Sequence, residues 1–192
     1  MATKSNVYRS YSMEYGTFVG LGWGALFLCY VGGVVMGNAL LILLCVAVGV
    51  MCLLMPFWFA LRLNRMLCEV GERLSYLQGL LFSVSMFMYA CLMSGIISFV
   101  YFQFLDGGSL YEHLHGMIAM PEMIAAYRQM GLGDAYSQML DTLDEMQRMS
   151  AFDKALLLFN NNFFFSIIMS FMVAVAASCS LNKGGKGDKS EA

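Results

Sequence analysis

LQGLLFSVSMFMYACLMSGIISFVYFQFL, residues 77–105, contains no Asp, Glu, Lys, Arg or His. A helix needs about 20 mostly apolar residues to cross the hydrocarbon core of a bilayer. This stretch exceeds that length. Three further charge-free stretches meet it: Thr17–Gly37, Ala39–Leu61 and Ala155–Leu181. In hydrocarbon every backbone N–H and C=O must be paired within the segment, so runs of this length are helices. The sequence therefore predicts an all-α integral membrane protein with four transmembrane helices. Composition agrees: 59% of the 192 residues are hydrophobic and 12% charged, too few to cover a water-facing surface. A net charge of −2 points to no nucleic-acid partner. No charged group lies inside the four stretches, so no proton relay or ion site can be read within the membrane.

Segments 1–16, 62–76 and 182–192 fall on one side of the membrane and segment 106–154 on the other. The first side carries eight basic residues (Lys4, Arg9, Arg62, Arg65, Arg73, Lys183, Lys186 and Lys189) and the second three (Arg128, Arg148 and Lys154). Cytoplasmic loops carry the excess of Lys and Arg. Both termini are therefore expected in the cytoplasm, with 106–154 outside. The N-terminal apolar run lacks a small-residue cleavage site, so the first helix is read as retained rather than as a signal peptide. The chain divides into a cytoplasmic N-terminal segment (1–16), a four-helix membrane domain (17–181) and a tail (182–192) expected to be disordered. Lysines in that tail attract anionic lipid by about 1 kcal/mol each. Of six cysteines, five lie in the apolar spans and Cys68 in an expected polar loop, so no disulfide framework is implied.

The first two helices form a hairpin about Gly37-Asn38, residues that tight turns favour. Pro56 is expected to kink the second helix. Within 106–154, Asp106-Gly107-Gly108-Ser109 reads as a flexible break. Met120, Met123, Ile124, Tyr127 and Met130 then form one helical apolar stripe, and Tyr136, Met139, Leu140, Leu143 and Met146 another. Pro121 suits a first helical turn. Gly131-Leu132-Gly133 separates the two stripes, Asp134 is the expected cap of the second, and Ser150 to Asp153 has capping-box form. The segment thus reads as an amphipathic extracytoplasmic helical hairpin between the third and fourth transmembrane helices.

Helices in lipid associate through close contact of small residues. Gly16, Gly20 and Gly24 supply such an edge on helix one; Ala90, Ser94 and Ser98 on helix three; Ser166, Ser170, Ala174 and Ser178 on helix four. These edges pack the bundle internally or, alternatively, join copies of the chain. Gln103, Asn160, Asn161 and Asn162 mark the outer ends of helices three and four as a candidate polar mouth; the alternative is helix-end solvation with interhelical hydrogen bonds. Met117, Met120, Met123, His113 and His115 are candidate ligands for a soft ion such as Cu(I). The same methionine spacing also arises from an amphipathic core stripe, and no metal or cofactor is assigned. The chain contains no GxSxG, HExxH or P-loop pattern and no paired intramembrane carboxylates, so it is read as a non-enzyme with no catalytic residues.

Tyr15-Gly16, Ser75-Tyr76-Leu77-Gln78-Gly79, Tyr101-Phe102-Gln103-Phe104-Leu105-Asp106, the acidic Met-rich outer segment and the Phe-rich last helix follow one another in order. Over about residues 12–182 this pattern resembles the bacterial membrane proteins of domain-of-unknown-function family 4199. The resemblance implies a four-helix bacterial inner-membrane protein and carries no activity, ligand or site residue with it. The function expected first is a non-enzymatic membrane module. Its partners would be the bilayer and an envelope protein, or lipid, met through 106–154. A small homo-oligomeric transporter or channel is the alternative, and envelope copper binding comes after it.

Overall fold

The computed structural model describes residues 4–69 and 75–179. The expected tail 182–192 and the Arg73 region lie outside the described residues. Among the described residues the chain is all helical: α1 (Lys4–Val35), α2 (Ala39–Glu69), α3 (Tyr76–Phe104), α4 (Ser109–Ile118), α5 (Pro121–Gln129), α6 (Gly133–Arg148) and α7 (Ala151–Cys179). Four of these, α1, α2, α3 and α7, are long and apolar enough to cross a membrane. Helices α4, α5 and α6 sit between the last two, at the end of the bundle that carries the α1–α2 turn.

The long helices outrun the apolar stretches that reveal them. Helix α1 begins at Lys4 rather than near Thr17, and α2 continues past Leu61 to Glu69, so Cys68 is helical rather than in a loop. Hydropathy marks the part that hydrocarbon tolerates, whereas a helix continues as long as packing supports it. On α1 that support is aromatic. Tyr11 stacks on Tyr15 at 5.7 Å between ring centroids, Tyr15 stacks on Phe59 of α2 at 4.3 Å, and Tyr15 meets Phe82 of α3 edge-on at 6.4 Å. Such pairs contribute about 0.5–1.5 kcal/mol each beyond area burial.

Helix α3 is the centre of the bundle, packed between α1 and α7. Met86, Phe87, Ala90 and Cys91 along it are fully buried. The glycine edge of α1 explains the closeness of one contact. A Cβ on Gly20 would lie 2.7 Å from both the Ala90 carbonyl oxygen and Met93 Cβ, and one on Gly16 or Gly24 would run into Met86 or Ile97. All three glycines are therefore spent on contact within the chain. Helix α7 meets the other side of α3 with Ser166, Ser170 and Ala174, all buried. Cys91 Sγ lies 3.4 Å from Ser166 Oγ, and Asn162 Nδ2 donates to Ser94 Oγ at 3.5 Å.

Helix α2 is peripheral. It touches α1 and α7 and only grazes α3. Its outer face (Leu40, Leu43, Leu54 and Trp58 among others) is exposed on the bundle, as a lipid-facing surface requires. Gly37 takes φ +62° in the α1–α2 turn, while Asn38 stays at negative φ and instead caps α2, its Oδ1 accepting the Leu40 N–H at 3.0 Å. The chain remains helical through Pro56, which is fully buried.

Serines in these helices mostly donate to a carbonyl one turn back, as Ser166 does to Asn162 (2.6 Å) and Ser170 to Ser166 (2.7 Å). Ser83 on α3 does not: its Oγ is fully buried with no partner. Leaving a buried polar group unpaired costs about 1–3 kcal/mol. Ser83→Ala is therefore expected to raise the thermal midpoint of the detergent-solubilised protein. A lowered midpoint would mean that the hydroxyl is satisfied.

Candidate functional site

The segment between α3 and α7 is built differently from the two-helix hairpin read in the sequence, because a third helix, α4, precedes the two stripes. The expected flexible break at its start is an ordered corner. Gly107 and Gly108 take φ +51° and +91°, consecutive left-handed conformations that disfavour any side chain. They turn the chain so that Asp106, only 3% exposed, faces inward. Its Oδ1 accepts the Tyr101 hydroxyl and the Leu110 N–H, each at 3.0 Å. Asp106 thus closes α3 and opens α4 with one carboxylate.

Lys154 arrives at the same place from the first turn of α7. It is 8% exposed, and its Nζ stands 4.5 Å from the ring centre of Tyr111 and 5.7 Å from that of Phe102. Desolvated cation–π contacts of this kind are worth about 2 kcal/mol or more. Tyr111 is buried, and that burial, with the Asp106 charge nearby, pushes its phenol above the ordinary tyrosine range. Phe102 and Tyr111 stack at 6.3 Å, and Val31, Val34 and Leu110 complete the cluster. A buried carboxylate and a buried ammonium therefore sit in one aromatic knot that binds α4 to the bundle. Sequence reasoning missed both. In the sequence Lys154 reads as a loop charge, and Asp106 as part of a break and the end of the Tyr101–Asp106 stretch. The available signal was the Asp-Gly-Gly order at a helix end.

The knot gives α4–α6 a fixed base. Leu114 of α4 and Leu143 and Met146 of α6 pack onto it. Helix α5 then leans on α6, with Tyr127 and Tyr136 rings 5.5 Å apart and the Tyr136 hydroxyl donating to the Ile118 carbonyl at 3.3 Å. Ser150 caps α7, its Oγ accepting the Asp153 N–H at 3.2 Å; the Asp153 carboxylate takes the Ser150 hydroxyl at 2.7 Å in place of the backbone N–H that a full capping box would use. Asp134 differs from expectation. It lies inside the first turn of α6, whose cap position is Leu132, because the chain turns helical at Gly133.

No residue of α5 or α6 is fully buried. The apolar stripes are consequently only half used: Met120, Met123 and Met130 remain 48%, 40% and 61% exposed. The methionine run Met117, Met120, Met123 is not one helical face, since Met117 belongs to α4, Met120 to the corner and Met123 to α5. His113 Nδ1 is 2.8 Å from the Ser109 carbonyl oxygen, and His115 Nε2 is 3.9 Å from Asp144 Oδ1. The candidate polar mouth is divided as well. Gln103, Asn160 and Asn161 are exposed, whereas Asn162 turns inward to Ser94. Asn162, Ser94 and Ser98 form the polar side of an otherwise apolar groove of about 480 Å³ between α2 and the rest of the bundle.

Four apolar helices closed at one end by an ordered helical cap define a membrane-embedded protein of the small bundle class. The chain belongs to the family described as protein of unknown function (DUF4199), whose profile matches residues 14–178. No curated protein and no solved structure matches it.

Proposed function

We propose that the protein is a non-enzymatic membrane module that holds an acidic, methionine-edged cap at the outer face of a bacterial inner membrane, for a partner protein to grip. The observation that carries this reading is the uncovered edge of Met123 on α5 and of Met120 and Met130 at its two cap positions, in a segment fixed to the bundle by the aromatic knot that holds Asp106 and Lys154. Methionine-rich edges are soft and adaptable contact surfaces. Charge favours a protein over lipid as occupant. Residues 106–154 carry eight acidic and three basic side chains, and an anionic bilayer surface would repel that balance. A basic amphipathic helix fits it. The basic residues at the opposite end support the orientation with both termini in the cytoplasm. The non-enzymatic reading draws on the use already made of the buried polar groups: Asp106 is committed to Tyr101 and Leu110, and Lys154 to two rings. The transporter alternative draws on the groove beside Ser94, Ser98 and Asn162, which has fewer polar groups than a solute path needs.

Photo-cross-linking residues placed at Met123 and Met130 in cells test this function, with Gln147 on α6 as the control position. Adducts with one basic protein at the first two positions only, lost in Glu122→Lys, are the expected result. Lipid adducts alone, or equal capture from Gln147, would overturn it.

A further inference from the structure

At the opposite end of the bundle from the cap, α1 and α3 part to leave a cavity of about 680 Å³. That volume lies within the range of roughly 300–1,000 Å³ typical of small-molecule sites. Its lining is graded. Tyr8 and Arg9 of α1 and Gln78 of α3 stand at one end, and the exposed Leu81, Met88 and Leu92, with Ser85 and Tyr89 beside them, follow along α3. The polar end coincides with the margins of the apolar stretches, since Arg9 precedes the charge-free run from Thr17, and Gln78 stands at the start of the run from Leu77. The cavity therefore passes from headgroup depth into hydrocarbon.

The polar end is set up to donate. Arg9 is exposed and pairs with no carboxylate among the described residues. The Gln78 carboxamide oxygen accepts the Ser75 N–H at 3.0 Å, which leaves its NH₂ group to donate to a ligand. The Ser12 hydroxyl is turned away onto the Arg9 carbonyl at 3.0 Å. A guanidinium and an amide NH₂ above an open, mostly apolar groove match a phosphate diester attached to an acyl chain. A free anion would leave the apolar part unfilled, and a zwitterionic lipid would bring its own cation against Arg9.

We infer that this α1–α3 cavity is a binding site for an anionic glycerophospholipid, with the phosphate on Arg9 and Gln78 and one acyl chain along Leu81, Met88 and Leu92. The site is independent of the cap and of any partner there.

Native mass spectrometry of the detergent-purified full chain tests it, titrating dioleoylphosphatidylglycerol, dioleoylphosphatidylcholine or inorganic phosphate. One phosphatidylglycerol is expected to bind in preference to phosphatidylcholine, and Arg9→Gln should erase about tenfold of that preference, the equivalent of one charge-assisted contact. Met88→Trp, which fills the chain channel, should weaken both lipids. Arg62→Gln, whose guanidinium lies over Trp58 at 5.5 Å on α2, should change neither. Equal binding of the two lipids, or an Arg62→Gln loss matching that of Arg9→Gln, would overturn the inference in favour of diffuse charge attraction. Displacement of the lipid by phosphate alone at matched concentration would overturn the acyl-chain part.

Discussion

Gly20→Leu is expected to remove the folded protein from membranes almost completely. The position has no room for a side chain. A Cβ alone would sit 2.7 Å from the Ala90 carbonyl oxygen and from Met93 Cβ, and 2.9 Å from Ala90 Cα. Two of those three atoms are backbone, so rotamer change cannot relieve the clash. Relief requires α1 to move off α3, which would uncover Val19, Met86 and Ala90, all now without solvent contact. Overpacking of a core costs about 1–3 kcal/mol and occasionally more, and rigid backbone on the receiving side puts this site at the upper end. Quantified by the monodisperse fraction recovered in mild detergent, Gly20→Leu should fall to near zero and Gly20→Ala to an intermediate level. Gly116→Leu is the control, because nothing lies within 4 Å of a Cβ there. Recovery of stable Gly20→Leu monomers in place of wild-type oligomers would instead show that the glycine edge joins copies of the chain.

Asp106→Ala is expected to release the cap while the bundle survives. The substitution deprives the Tyr101 hydroxyl and the Leu110 N–H of their common acceptor, in a place with almost no access to water. Hydrogen bonds to a charged group are worth about 1.5–3 kcal/mol each, so a combined loss of roughly 3–6 kcal/mol is expected. Helices α5 and α6 contribute no fully buried residue, so what still holds the cap is the packing of Leu110, Tyr111 and Leu114 of α4, with Leu143 and Met146 of α6, on the bundle. Hydrogen exchange should show protection lost across 109–148 and retained in the centres of α3 and α7. Asp106→Asn keeps an acceptor and should fall between the two. Unchanged exchange in Asp106→Ala would mean that the cap is held by its apolar contacts alone.

The two predictions differ in how far their causes were legible beforehand. Gly16, Gly20 and Gly24 stand out by spacing alone, because glycine at every fourth position of an apolar helix has few uses other than close contact. Which helix they meet is not in the spacing; α3 supplies that answer. Asp106, in the α3–α4 corner, and Lys154, on α7, lie far apart in sequence, and each looks like an ordinary helix-end charge. Only the turn through Gly107-Gly108, and the return of α7 beside α3, brings them into one aromatic knot. The methionines show the reverse. Their i, i+3 spacing reads as one helical face, and the corner at Ala119–Met120 breaks that face between α4 and α5.

By itself the sequence determined whatever depends on local chemistry in hydrocarbon. That covers four helical spans, from charge-free length; helical segments in 106–154, from apolar period; and the α1–α2 turn, from Gly37-Asn38. Those features follow from backbone pairing and side-chain transfer energies, which act residue by residue. The tertiary structure alone decided what depends on meeting across the chain: the central place of α3, the aromatic support that extends α1, the buried charges beneath the cap, and the α1–α3 cavity. In lipid, apolar burial barely distinguishes one helix pairing from another. Partner choice therefore rests on close fit and a few polar contacts, and these exist only once the helices are side by side.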